Sequence, residues 1–121
     1  MSLEVNNIKN RGELDDERVV FKVLLDCDLG MYITFKSTDT ESGDGISSHV
    51  EYPFWFPDED IKANDLVVLY TKQGQQSHKL NKDGTHTHFY YRGLNKAIFN
   101  KKAERALLML IKTWSVSKHD D

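Results

Sequence analysis

Leu66-Val-Val-Leu-Tyr-Thr71, His88-Phe-Tyr-Tyr91 and Ala106-Leu-Leu-Met-Leu-Ile111 are three apolar runs within residues 60–111, separated by turn-forming residues. Runs of roughly four to eight β-branched, aromatic and aliphatic residues, bounded by Asn, Asp and Gly, are how a sequence writes the strands of a small β-sandwich. Asn64, just before the first run, tolerates the left-handed backbone that a tight turn needs. The second run follows Asp83-Gly84, a hairpin signal. His86–Tyr91 is therefore expected to be the strand leaving that hairpin, and residues 73–83 a polar loop. Residues 93–99 read as a short strand or an irregular buried segment, and residues 100–104 as a turn. The third run is ambiguous. Ala103, Leu107, Leu110, Ile111 and Trp114 fall at helical spacings, and Ala, Leu and Met favour helices. As a strand the run would place Leu107, Met109 and Ile111 on one face and Ala106, Leu108 and Leu110 on the other, buried on both.

Working towards the N-terminus, His49-Val-Glu-Tyr-Pro-Phe-Trp-Phe-Pro57 holds two prolines that cannot donate ladder hydrogen bonds, which confines any strand here to an edge or a bulge. Residues 37–48 are Ser, Thr, Asp, Glu and Gly with Ile46 as the one apolar residue, and read as a loop. Met31-Tyr-Ile-Thr-Phe35 alternates as a strand. Glu17–Leu25 carries β-branched and aromatic residues that favour a strand over a helix. Leu3 and Val5 share a face of a first strand, ahead of a turn at Asn10-Arg-Gly12. Residues 58–65 read as an acidic, polar linker.

A chain of 121 residues is expected to form one domain, residues 1–121, around a single core. No apolar run reaches the roughly 20 residues of a membrane-spanning helix, so no membrane insertion is expected. The N-terminus shows no secretory pattern, and with one cysteine a cytoplasmic setting is favoured. Cys27 lies between Asp26 and Asp28, whose charges disfavour its thiolate, so it reads as a poor nucleophile. The net charge of −3 is unevenly written. Up to residue 65, six Lys or Arg stand against fifteen Asp or Glu; from residue 66, ten stand against four. Such asymmetry can mark a two-faced surface.

The order Glu17-Arg-Val-Val-Phe21, Leu29-Gly-Met-Tyr-Ile33, Asp60-Ile-Lys-Ala-Asn-Asp-Leu-Val-Val-Leu-Tyr70 and Ala97-Ile-Phe-Asn100 leading to Ala106-Leu-Leu-Met109 resembles the lamin-tail domain. That family typically places an acidic residue before a strand, a Leu-Gly-aromatic step, a tight turn before a hydrophobic strand, and an Asn-containing turn before the last strand. This chain has Asn64 where the family usually has Gly, and Lys101-Lys-Ala-Glu104 lacks the usual Gly-Asp. The resemblance implies an all-β, immunoglobulin-like β-sandwich of about seven to nine antiparallel strands. It also implies that the third apolar run is a strand, and that the domain is an interaction or structural module.

Three groups of residues are candidates for a site. Tyr52, Phe54 and Trp55 crowd more rings into one edge strand than it easily buries, and with Tyr90 and Arg92 they form the expected surface for a protein partner. Lys79, Lys82, Arg92 and Lys96, interleaved with Phe89, Tyr90, Tyr91 and Phe99, offer an alternative nucleic-acid surface, with cations on phosphates and rings on bases. His86 and His88, two apart on a strand, share a face and are weak metal candidates that His78 and Asp83 could complete, which would suit a metal-dependent hydrolase. No Ser or Cys sits in a nucleophile elbow and no Gly-rich loop precedes a helix. The expectation is a non-catalytic binding or structural module with no cofactor.

Overall fold

The computed structural model describes residues 1–119. Its strands are β1 (Leu3–Lys9), β2 (Arg18–Val23), β3 (Cys27–Asp28), β4 (Tyr32–Thr38), β5 (Glu51–Trp55), β6 (Asp60–Ile61), β7 (Leu66–Tyr70), β8 (Ser77–Leu80), β9 (His86–Tyr91) and β10 (Glu104–Leu110), with a 3-10 turn at Leu29–Met31. The chain is all-β, and its sheets do not close into a barrel. No helix among the described residues is long and apolar enough to cross a membrane.

Five strands form one sheet in the order β1-β2-β7-β9-β8, three form a second in the order β10-β4-β5, and β3 pairs with β6. Side chains from both larger sheets meet in one core. The larger sheet sends in Leu3, Val19, Phe21, Val67, Leu69 and Tyr90, while the smaller contributes Tyr32 with partly buried Phe54, Ala106 and Leu108. Phe56 packs edge-on against Phe21, Phe54 and Tyr90. Such edge-to-face contacts stabilise a core beyond the area they bury.

Among the described residues the strands number ten, and three of their pairings differ from expectation: two join segments distant in sequence, and the third is a hairpin whose first strand has no apolar pattern. β7 and β9 run parallel, with Val67 opposite His88 and Leu69 opposite Tyr90, so the sheet is not wholly antiparallel. Residues 73–83 are not simply a loop. They contain β8, whose His78 lies opposite His88 and whose Leu80 lies opposite His86. The Asp83-Gly84 hairpin needed that preceding strand, but β8 is exposed along its length and carries no apolar alternation to announce it. The linker at 58–65 likewise contains β6 and the fully buried Ile61.

Several local readings hold. β5 is an edge strand, and its pairing with β4 slips by one residue between Glu51 and Phe54, where Tyr52 adopts φ +53° next to Pro53. Asn64 takes φ +76° in the turn before β7. Residues 93–99 are irregular and buried at Ile98 and Phe99. The third apolar run is a strand, in register with β4 from Glu104 opposite Thr38 to Leu110 opposite Tyr32. Its two faces are not both buried, however, because β10 is an edge and Met109 is 44% exposed.

The irregular segment stays buried because a carboxylate replaces a ladder. Glu17 is fully buried at the head of β2. It accepts hydrogen bonds from the backbone N–H groups of Gly12, Ile98 and Phe99 at 2.9, 3.0 and 3.0 Å and from the Thr71 hydroxyl at 2.5 Å. Burial pushes its pKa up, but these four donors outweigh that and leave it below the ordinary carboxylate value.

Candidate functional site

Of the five residues expected to bind a partner, only Trp55 is exposed, at 48%. Tyr90 is a core residue, and burial followed by the charge of Glu59 pushes its phenol up to about 12. Phe54 points inward against Phe56 and Tyr90. Tyr52 is partly buried against the same core. Arg92 donates from Nη1 to the Tyr52 carbonyl, and burial pulls its pKa down to about 10, an effect that Glu17 partly offsets. It serves the bulge in β5 rather than a surface. The reason is strand alternation: Phe54 and Trp55 are neighbours, so they face opposite sides of the sheet.

Trp55 belongs to a surface that the sequence reading did not assemble. Ile33 of β4 lies directly opposite Met109 of β10 and opposite Trp55 of β5, while Phe35 lies opposite Leu107. Residues directly opposite one another share a face. Ile33, Phe35, Trp55, Leu107 and Met109 therefore line the outer face of the three-stranded sheet, with Tyr32 and Thr34 buried on the inner one. The outer face of the larger sheet is different. Tyr70 stacks on Tyr91 at 5.2 Å, Lys72 and Arg18 lie over the Tyr70 ring at 4.9 and 5.7 Å, and Gly74 presses so close to Tyr91 that a Cβ there would meet the ring at 2.3 Å.

At one end of the bare face a cleft of about 510 Å³ opens around Gly30. Gly30 organises it: its N–H donates to Asp28 at 2.9 Å, and its carbonyl accepts from the Trp55 indole at 2.8 Å. Asp58 lies so close over it that a Cβ would sit 1.9 Å from the carboxylate oxygen. Trp114 completes the wall, edge to face with Trp55 at 5.5 Å and 82°. No feature near Trp114 in the sequence signals this contact, which spans the whole distance from β5 to the segment after β10.

The histidines do gather. His78, His86 and His88 place their rings 5.9, 6.3 and 6.1 Å apart. Their expected companion Asp83 is elsewhere, accepting from the N–H and hydroxyl of Thr85 in the hairpin turn. The carboxylate that joins them is Asp65, read from sequence as part of a linker. It is 3% exposed, bonds His88 Nε2 at 3.0 Å, and accepts from the N–H groups of His86 and Lys62. Burial raises its pKa, but these bonds bring it below the ordinary value. With His88 Nε2 committed to Asp65, no three His, Cys, Asp or Glu side chains among the described residues are arranged to hold a metal ion.

Lys79, Lys82 and Lys96 are exposed, but Arg92 is not available to join them. The rings expected to stack on bases are largely internal, since Tyr90 and Phe99 are core and Tyr91 is stacked on Tyr70. Cys27 is half-buried, and burial, then Asp28 and Asp26, push its thiol up, away from the reactive thiolate. No family model, no curated protein and no solved structure matches this chain.

Proposed function

We propose that this chain is a non-catalytic binding module that engages a protein partner through the outer face of its three-stranded sheet. The observation that carries this reading is the row Met109, Ile33 and Trp55, apolar residues on the solvent side of all three strands. A contiguous exposed apolar patch on a sheet face, unlike scattered apolar residues, marks an interaction surface. The contrast with the larger sheet, whose outer rings are covered by cations and by a crossing loop, supports the same choice. For the fold we propose an immunoglobulin-like β-sandwich resembling a lamin-tail domain. This is supported by two sheets sharing one core and by the strand character of residues 104–110.

Selection from a random peptide library against the intact protein tests the reading. Wild type should enrich peptides rich in aromatic and aliphatic residues, and Met109→Lys should lose them while keeping its circular dichroism spectrum. Enrichment of the same peptides by both proteins, or of none by wild type, would overturn it.

A further inference from the structure

The cleft at Gly30 differs in chemistry from the apolar face it adjoins. Two tryptophans form one corner of it, and Asp28 and Asp58 stand beside them. Glu59 and Asp60 continue the acid into the adjoining hollow, which Asp28 and Asp58 also line. Among the described residues Asp28, Asp58, Glu59 and Asp60 form no ion pair, because the acids that do are Asp26, Asp39, Asp65 and Glu104. Lys112 lines the cleft as well, without pairing with any of these acids. Indole faces attract cations through their quadrupole, and carboxylates accept charge-assisted hydrogen bonds from guanidinium or ammonium groups. An anionic occupant would be repelled here, and a purely apolar one would cover the carboxylates without pairing them.

We infer that this cleft receives a basic side chain, arginine in preference to lysine, from the partner peptide. The inference rests on the protein-binding reading above and names the chemistry of what binds at one end of that face. A planar guanidinium can stack on Trp55 or Trp114 while its N–H groups reach Asp58, a combination that a compact ammonium meets less fully. Asp28 acts as a positioning residue, since its Oδ1 is already held by the N–H groups of Gly30 and Glu59.

The chain has two tryptophans, and both lie in this cleft, so tryptophan emission, excited at the red edge where the five tyrosines do not absorb, reports on it. The probe is acetyl-Gly-Leu-Arg-Leu-Val-Gly-amide, titrated into the full chain beside its lysine and glutamine analogues. The arginine peptide should bind about tenfold more tightly than the glutamine analogue, with lysine between them. That preference should shrink as salt rises and largely vanish in Asp58→Asn. Lys112→Met should tighten the arginine peptide about twofold by removing the opposing charge. Equal binding of the arginine and glutamine peptides would overturn the basic-residue inference while leaving the apolar face intact as a binding surface. A fluorescence response to none of the three peptides would also overturn it, and the library selection would still decide the apolar face independently.

Discussion

Two regions of this molecule set carboxylates beside aromatic residues, and they treat the charge in opposite ways. At the Glu17 corner, four donors from three separate parts of the chain converge on one buried carboxylate. At the Gly30 cleft, Asp58 has no ion-pair partner among the described residues and two exposed indoles stand open beside it. A buried charge with its acceptor capacity filled from within is a structural device, whereas a charge left open to solvent next to exposed rings leaves its interaction for another molecule. The same division separates Phe54 from Trp55, one packed on Phe56 and the other on the cleft wall.

Removing Glu17 should break the first region outright. In Glu17→Ala three backbone N–H groups and a hydroxyl lose their acceptor in a dry site, for an expected loss of about 4 kcal/mol in urea unfolding. Glu17→Gln keeps the shape but offers one acceptor oxygen and turns two amide donors towards existing donors, so it should cost about 2 kcal/mol. A loss under about 1 kcal/mol for the alanine variant would show that the corner is not the anchor of residues 93–99.

The pH dependence follows from the same region. The folded pKa of Glu17 lies below its ordinary value, as does that of Asp65. Their stabilisation is therefore complete above about pH 5, and it is lost as the pH falls through the depressed folded values. Wild type should lose stability steadily below about pH 4, and Glu17→Gln, with one fewer such group to protonate, should show a shallower acid limb. Parallel acid limbs in the two proteins would remove Glu17 from this account.

Gly30 tests whether the second region is organised or merely open. Any Cβ at this position collides with the Asp58 carboxylate and approaches its backbone at 3.0 Å. Gly30→Ala should therefore displace Asp58 and strain the Trp55 bond to the residue 30 carbonyl, costing about 2 kcal/mol by overpacking. It should also shift the tryptophan emission spectrum. Unchanged emission and stability would mean that the cleft walls yield freely, which would weaken the contrast with the Glu17 corner.

Local chemistry carried the parts of this fold that local chemistry decides. Pro53 announced an edge or bulge in β5, Asn64 a left-handed turn, and Asp83-Gly84 a hairpin, because backbone geometry at each is set by the residue itself. The helical spacing of Ala103 to Trp114 was overridden by seven residues of pairing with β4, which local propensity cannot report. The site was less legible for a related reason. Asp65 meets His88 across 23 positions, and Trp114 meets Trp55 beyond the end of β10, where the Ile111 N–H still bonds the Met31 carbonyl at 2.7 Å and carries the chain on alongside the residues before β4. Strand alternation places Tyr90 on the face opposite Phe89 and Tyr91, but says nothing of which face holds the core.

The smallest expected effects on stability, paired with the largest on binding, fall on the tryptophans themselves. Trp114 is 65% exposed and follows the last strand, so Trp114→Ala should cost less than about 0.5 kcal/mol. Trp55→Ala gives up the indole hydrogen bond to Gly30 as well as its ring contact, and should cost about 1 kcal/mol. Both variants should bind the arginine peptide at least about fivefold more weakly, measured by calorimetry because the fluorescent reporter is itself altered. The ordering carries the logic: a residue whose removal scarcely touches folding yet clearly weakens recognition is placed for a partner. If Trp55→Ala instead unfolded the chain as severely as Glu17→Ala, Trp55 would belong with the core, and the division between closed and open carboxylates would lose its second member.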